Sequence, residues 1–97
     1  MIEHIVLFSV KEGVEQVAVE ETLKQIRMLK GRIQGILSIT CGKNNSPERK
    51  AQGYEFGFIV RFEDEHSRDV YLKHPEHLGV IERYIAPIVK QVLVFDY

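Results

Sequence analysis

The sequence predicts an α+β domain in which a four-stranded antiparallel sheet carries helices on one face. Three observations predict it. Four short runs rich in β-branched and aromatic residues alternate with helical patterns, in the order strand, helix, strand, strand, broken helix, strand. Gly, Pro and Asn breaks separate the runs. The 97 residues accommodate one domain, 1–97, with no room for a second.

The first strand is Ile2 to Val10, free of Pro and Gly until Gly13. Ile2, His4, Val6, Phe8 and Val10 share one of its faces, and Ile5 and Leu7 the other. Glu15 to Arg32 reads as an amphipathic helix, with Val19, Leu23, Ile26, Leu29 and Ile33 at steps of three and four. Met28 lies off that stripe and is assigned to surface or interface packing. Gly35 ends the helical pattern, and Ile36 to Gly42 forms the second strand. A polar connection with Asn44, Asn45, Ser46 and Pro47 leads to a third strand, Tyr54 to Phe62. Gly57 marks either a bulge or a close backbone approach in that strand.

Asp64 is placed to cap a short helix, His66 to Lys73. Pro75 either ends it or opens a second helical piece, on which His77, Val80, Ile81 and Tyr84 share a face until Pro87. Ile88 to Asp96 is the last strand. This order is the split βαβ of the ferredoxin-like class. Helices can cover only one face of such a sheet, yet three strands are apolar on both. A second copy related by a two-fold axis is the expected cover.

Composition narrows the function classes. The formal net charge is −1, with acidic and basic residues interspersed, so no basic stripe is available for a phosphate backbone. The densest basic stretch, Lys43 to Lys50, contains Glu48 and four turn-forming residues and reads as a solvated loop. One cysteine, Cys41, excludes an internal disulfide and a multi-cysteine metal site. No window reaches the roughly 18 to 20 apolar residues that span a bilayer. The expectation is a cytoplasmic protein without nucleic-acid or membrane partners.

Five segments together resemble the stress-responsive A/B barrel domain family, a branch of the dimeric α+β barrels. They are His4-Ile5-Val6-Leu7-Phe8, Ser38-Ile39-Thr40-Cys41-Gly42, Gly53-Tyr54, Tyr71-Leu72-Lys73-His74-Pro75-Glu76-His77 and Phe95-Asp96-Tyr97. The His-Pro-x-His stretch with its preceding tyrosine is the most specific of these. The resemblance implies a homodimer whose sheets close into a barrel, with a cavity between sheet and helices in each subunit. Many members have no assigned activity. A plant branch cyclises linear polyketides by aldol chemistry, and its catalytic pair corresponds to Tyr71 and His77, with His4 also in the pocket. No metal or organic cofactor is implied.

Each candidate residue has a structural reading beside the chemical one. The His77 spacing points it inward, where a neutral imidazole suits proton transfer. It is equally a core histidine satisfied by a backbone carbonyl or by Asp96. Tyr71 either steadies an enolate through its hydroxyl or is an aromatic core residue. His4, among apolar neighbours, is satisfied internally or lines the cavity. The row Tyr54, Phe56, Phe58 and Phe62 lines a pocket for an apolar ligand or, on the simpler reading, a dimer interface. His74 is expected to shape the helix junction, His66 to be exposed and Cys41 to be a buried small hydrophobe. Four histidines without a fixed ligand spacing argue against a transition metal.

These residues support a homodimer that binds a small, mostly apolar molecule, with His4, Tyr54, Phe56 and Tyr84 contacting it. The alternative is a cofactor-free cyclase or isomerase using His77 as base and Tyr71 as enolate stabiliser. A monooxygenase or isomerase of a neighbouring barrel family is the third reading.

Overall fold

A computed structural model describes residues 1–97. β1 (Ile2–Val10) turns at Gly13 into α1 (Gln16–Met28), which tightens into a 3₁₀ turn at Leu29–Gly31. β2 (Ile36–Lys43) and β3 (Phe56–Phe62) follow. Next come α2 (Glu65–Lys73), α3 (Pro75–Val80), a π-helical turn at Ile81–Ile85 and β4 (Val89–Asp96). The element order is the expected one. The third strand starts two residues later than its sequence pattern, because Gln52 and Gly53 take positive φ of 55° and 90°. The Tyr54 amide then closes a turn on the Ala51 carbonyl at 3.0 Å.

The strands form one antiparallel sheet in the order β2-β3-β1-β4. Val6 pairs with Phe58 and Val94, which puts all three on one face, and Leu7 pairs with Gly57 and Leu93 on the other. Val6, Phe8, Phe58, Val60 and Phe62 pack against the stripe of α1 and form the core with it. The aromatic row expected at an interface is therefore mostly core. Phe58 and Phe62 are buried beneath the helices, and Phe56 is half-buried and stacks on Phe8 at 5.6 Å. The alternation of the strand is as expected, but the face it belongs to is the one the helices cover.

The opposite face carries Ile5, Leu7, Ile59, Leu93 and Phe95, with an ion pair between Arg61 Nε and Glu3 Oε1 at 2.7 Å. Leu93 is 49% and Phe95 63% exposed. Burying a large apolar side chain contributes about 1.5–3 kcal/mol. Several together rival the whole stability of a small domain, about 5–15 kcal/mol.

The junction between α2 and α3 is held by caps. Asp64 Oδ1 accepts from the Ser67 amide at 2.8 Å, and His74 Nδ1 from the Glu76 amide at 3.1 Å. His74 is extended, as a residue before proline tends to be, and Pro75 opens α3 where no amide donor is needed.

Gly57 marks a close approach, with no bulge at that position. A Cβ there would stand 2.8 Å from Leu7 Cδ2 and 3.2 Å from the Val6 carbonyl oxygen. Gly57→Leu is expected to lower the unfolding free energy by about 1–3 kcal/mol in urea denaturation. An unchanged midpoint would mean that Leu7 moves aside without cost.

Candidate functional site

Helices pack mainly over β1, β2 and β3, and β4 is left as a largely uncovered edge. Val92 and Val94 point to the helix side, opposite Phe8 and Val6, yet stay 56% and 54% exposed. The gap between this edge and the α2–α3–π-turn layer is a cavity of about 710 Å³. That volume lies within the range of small-molecule sites, roughly 300–1,000 Å³. Val6, Phe8 and Phe58 form its floor, Ile81 and Ile85 part of its roof. His4, Asp96, Arg68 and His77 gather at its polar end.

His77 is buried on α3, and its Nδ1 lies 3.2 Å from the Leu72 carbonyl oxygen. A carbonyl only accepts, so Nδ1 carries the proton, and in the neutral ring Nε2 is left with a lone pair. Burial pushes the His77 pKa below 6.5, opposed by the Leu72 hydrogen bond and reinforced by nearby His4 and His74. The ring is thus a neutral base at neutral pH. Tyr71, 1% exposed, stacks on it with ring centroids 4.1 Å apart. Burial alone drives the Tyr71 phenol well up, so it stays an O–H donor.

His4 is fixed from the other side. Its Nδ1 donates to Asp96 Oδ1 at 2.8 Å, and Asp96 Oδ2 accepts from Arg68 Nη1 at 3.1 Å. Arg68 Nε in turn donates to Asp69 Oδ1 at 3.0 Å. This chain ties β1, the edge strand β4 and α2 together across the cavity end. The His4 ring meets Tyr71 edge-on at 5.9 Å, so Tyr71 lies between the two imidazoles.

The structure therefore brings together His4, Tyr71 and His77, with His4 and His77 lining the cavity and Tyr71 packed against both. Tyr54 and Phe56 line a separate depression beside β2 and the 44–55 connection. Tyr84 faces a third depression, with Gln25 and Arg32. Asp96, one of two partners expected for His77, belongs to His4 instead, because the antiparallel register sets the two opposite each other. Sequence patterns do not single out Arg68 or Ile85. Only the pairing of β1 with β4 and the path of the helix after Val80 make them visible. Cys41 is half-buried beside Arg27, with Sγ 3.0 Å from Nη1. No group of three or more His, Cys, Asp or Glu side chains converges as a metal site would need.

Residues 2–97 match the family model described as the stress responsive A/B barrel domain. The chain is 32% identical over 96 residues to the stress-response A/B barrel domain-containing protein HS1 of Arabidopsis thaliana, spanning 99% of this chain and 87% of that one. It is 26% identical over 96 residues to olivetolic acid cyclase of Cannabis sativa, spanning 99% and 94%. The crystal structure of an Arabidopsis thaliana protein superposes with a TM-score of 0.93 at 31% identity, covering 100% of this chain and 93% of that one. A dimeric ferredoxin-like protein of unknown function from Thermobifida fusca has a TM-score of 0.82 at 23% identity, covering 99% and 88%.

Because burial holds the folded His77 pKa below 6.5, the unfolded chain takes up this proton first on acidification. The stability contributed by the neutral ring is complete above 6.5 and is lost as pH falls below it. The stability difference between wild type and His77→Gln should shrink between about pH 7 and about pH 5 in thermal melts. A difference that stays constant would place His77 in contact with water.

Proposed function

The chain belongs to the stress-responsive A/B barrel domain family, and from that premise we propose that it is a homodimer binding a small, mostly apolar molecule in the cavity between sheet and helices. The observation that carries this is the cavity itself. Most of its wall is Val, Phe, Leu, Ile and Ala, and its polar side chains collect at one end, Lys90 excepted. That is the arrangement of a site that holds an apolar body and orients one functional group. The apolar outer face of the sheet supports the dimer, as does the dimeric state of a protein with the same fold. Native mass spectrometry of freshly purified protein is expected to show retained small molecules or, after stripping, a thermal shift with medium-chain ketones and phenols. A blank across both would remove the binding function.

A second reading is favoured by one observation, the unprotonated Nε2 of a buried, neutral His77 on the cavity wall. As base it takes a proton from the carbon next to a carbonyl, the electron pair moves onto the carbonyl oxygen, and Tyr71 donates a hydrogen bond to that enolate. An aldol-type closure or isomerisation would follow without a cofactor. The relationship to a protein named olivetolic acid cyclase agrees with such chemistry. α-Hydrogen exchange of 2-heptanone in D₂O tests it by NMR. Wild type should accelerate exchange and His77→Ala should lose about 10²–10⁴-fold, the usual weight of a general base. Equal rates in the two proteins would exclude His77 as the base.

A further inference from the structure

Continuing an α-helix beyond Val80 would put Tyr84 on the face of His77 and Ile81, seven residues being close to two turns. The chain does something else. The Ala86 amide donates to the Ile81 carbonyl at 2.8 Å, five residues back, so Ile81–Ile85 is one π-helical turn and holds one residue more than an α-turn. The extra residue moves Tyr84 off the cavity and brings Ile85 into its place. Ile81 and Ile85 line the cavity, while Tyr84 lies with Gln25, Arg32 and Gly79 on another surface.

The wide turn is anchored from outside. The buried Thr22 hydroxyl on α1 is shared between the Ala18 carbonyl at 2.9 Å and the Tyr84 carbonyl at 3.2 Å. The Ile88 amide donates to the Ile85 carbonyl at 3.1 Å, which leaves the Tyr84 carbonyl without its i+4 donor at the helix end, and the Thr22 side chain from α1 takes it up. Pro87 then prevents the helix from continuing.

We infer that this π-turn is the specificity device of the cavity, exchanging the Tyr84 phenol for the Ile85 side chain at the wall opposite the polar end. With the cavity read as a ligand site, as above, the consequence concerns the ligand. Where Ile85 stands, the end remote from His4 and His77 meets an alkyl side chain in place of a phenol, with Lys90 the one charged side chain lining the cavity there, so the part of the ligand against Ile85 is an alkyl chain or an unsubstituted ring. A ligand with a hydroxyl aimed at Ile85 would leave that group unpaired, which lowers affinity about five- to 150-fold.

The register is tested with N-phenyl-1-naphthylamine, a neutral apolar fluorophore, on the full chain. Ile85→Trp should weaken its binding about tenfold or more by filling the cavity, and Tyr84→Trp should leave it within about twofold. Deleting Arg83, an exposed residue of the turn, converts the π-turn to an α-turn and keeps Ile85 on the same face. That variant should fold and keep the probe affinity within about threefold. In an ordinary α-helix the same deletion would rotate everything after it by about 100° and disrupt the wall. Weakening by Tyr84→Trp alone, or loss of folding on deletion of Arg83, would overturn the inference. If wild type binds no probe, the ligand-site reading fails separately, and the emission of the introduced indole decides the register. The chain has no native tryptophan. Blue-shifted emission from the Ile85→Trp protein, beside redder emission from the Tyr84→Trp protein, supports the π-register. The reverse order contradicts it.

Discussion

The fold turns on a mismatch between faces and covers. The sheet carries apolar residues on both sides of β1 and β4, with Ile59 added from β3, and one layer of helices can bury only one side. The helices lie over Val6, Phe8, Phe58, Val60 and Phe62, so Leu7, Ile59, Leu93 and Phe95 are left against water in a single chain. Such a face is energetically large for a domain of this size, and a two-fold related copy is the cover we propose for it. The Glu3–Arg61 ion pair on the same face offers an anchor for register, since a charged pair tolerates fewer arrangements than an apolar patch.

The same incomplete cover creates the cavity. The helices pack mainly over the other strands, so the space between the β4 edge and the α2–α3–π-turn layer is lined by half-exposed valines where a core would otherwise be. Its polar end is assembled from three elements. His4 comes from β1, Asp96 from β4, and Arg68 with His77 from the helices. Each imidazole commits Nδ1 to the protein and keeps Nε2 free of it. The site thus presents two imidazole edges, that of neutral His77 as an acceptor, in a mostly apolar surround.

Much of this is legible in the sequence. Strand alternation and the α1 stripe locate the elements because both are local periodicities, and the caps at Asp64 and His74 follow from residue type alone. The clustering of His4, Tyr71 and His77 comes from the family resemblance. What stays hidden is non-local. Which face of the sheet the helices take decides whether Phe58 and Phe62 are core or interface, and no periodicity within β3 reports it. Asp96 has two histidines within its sequence-level reach, and only strand register chooses between them. Tyr84 falls on the cavity face if every turn holds 3.6 residues, and a single π-turn breaks that assumption. Tyr54 and Phe56 continue the alternation of β3 in sequence, but a positive-φ turn at Gln52 and Gly53 carries Tyr54 out of the strand.

On the proposed dimer, the outer sheet face needs a second copy as its cover for the chain to be stable. Sedimentation velocity on wild type and on Leu93→Asp/Phe95→Asp measures this most directly. Wild type is expected to sediment as a dimer at micromolar concentration, and the variant as a monomer of lowered melting temperature. A wild-type chain that sediments as a stable monomer at every concentration, with the variant melting no lower, would contradict the proposed dimer.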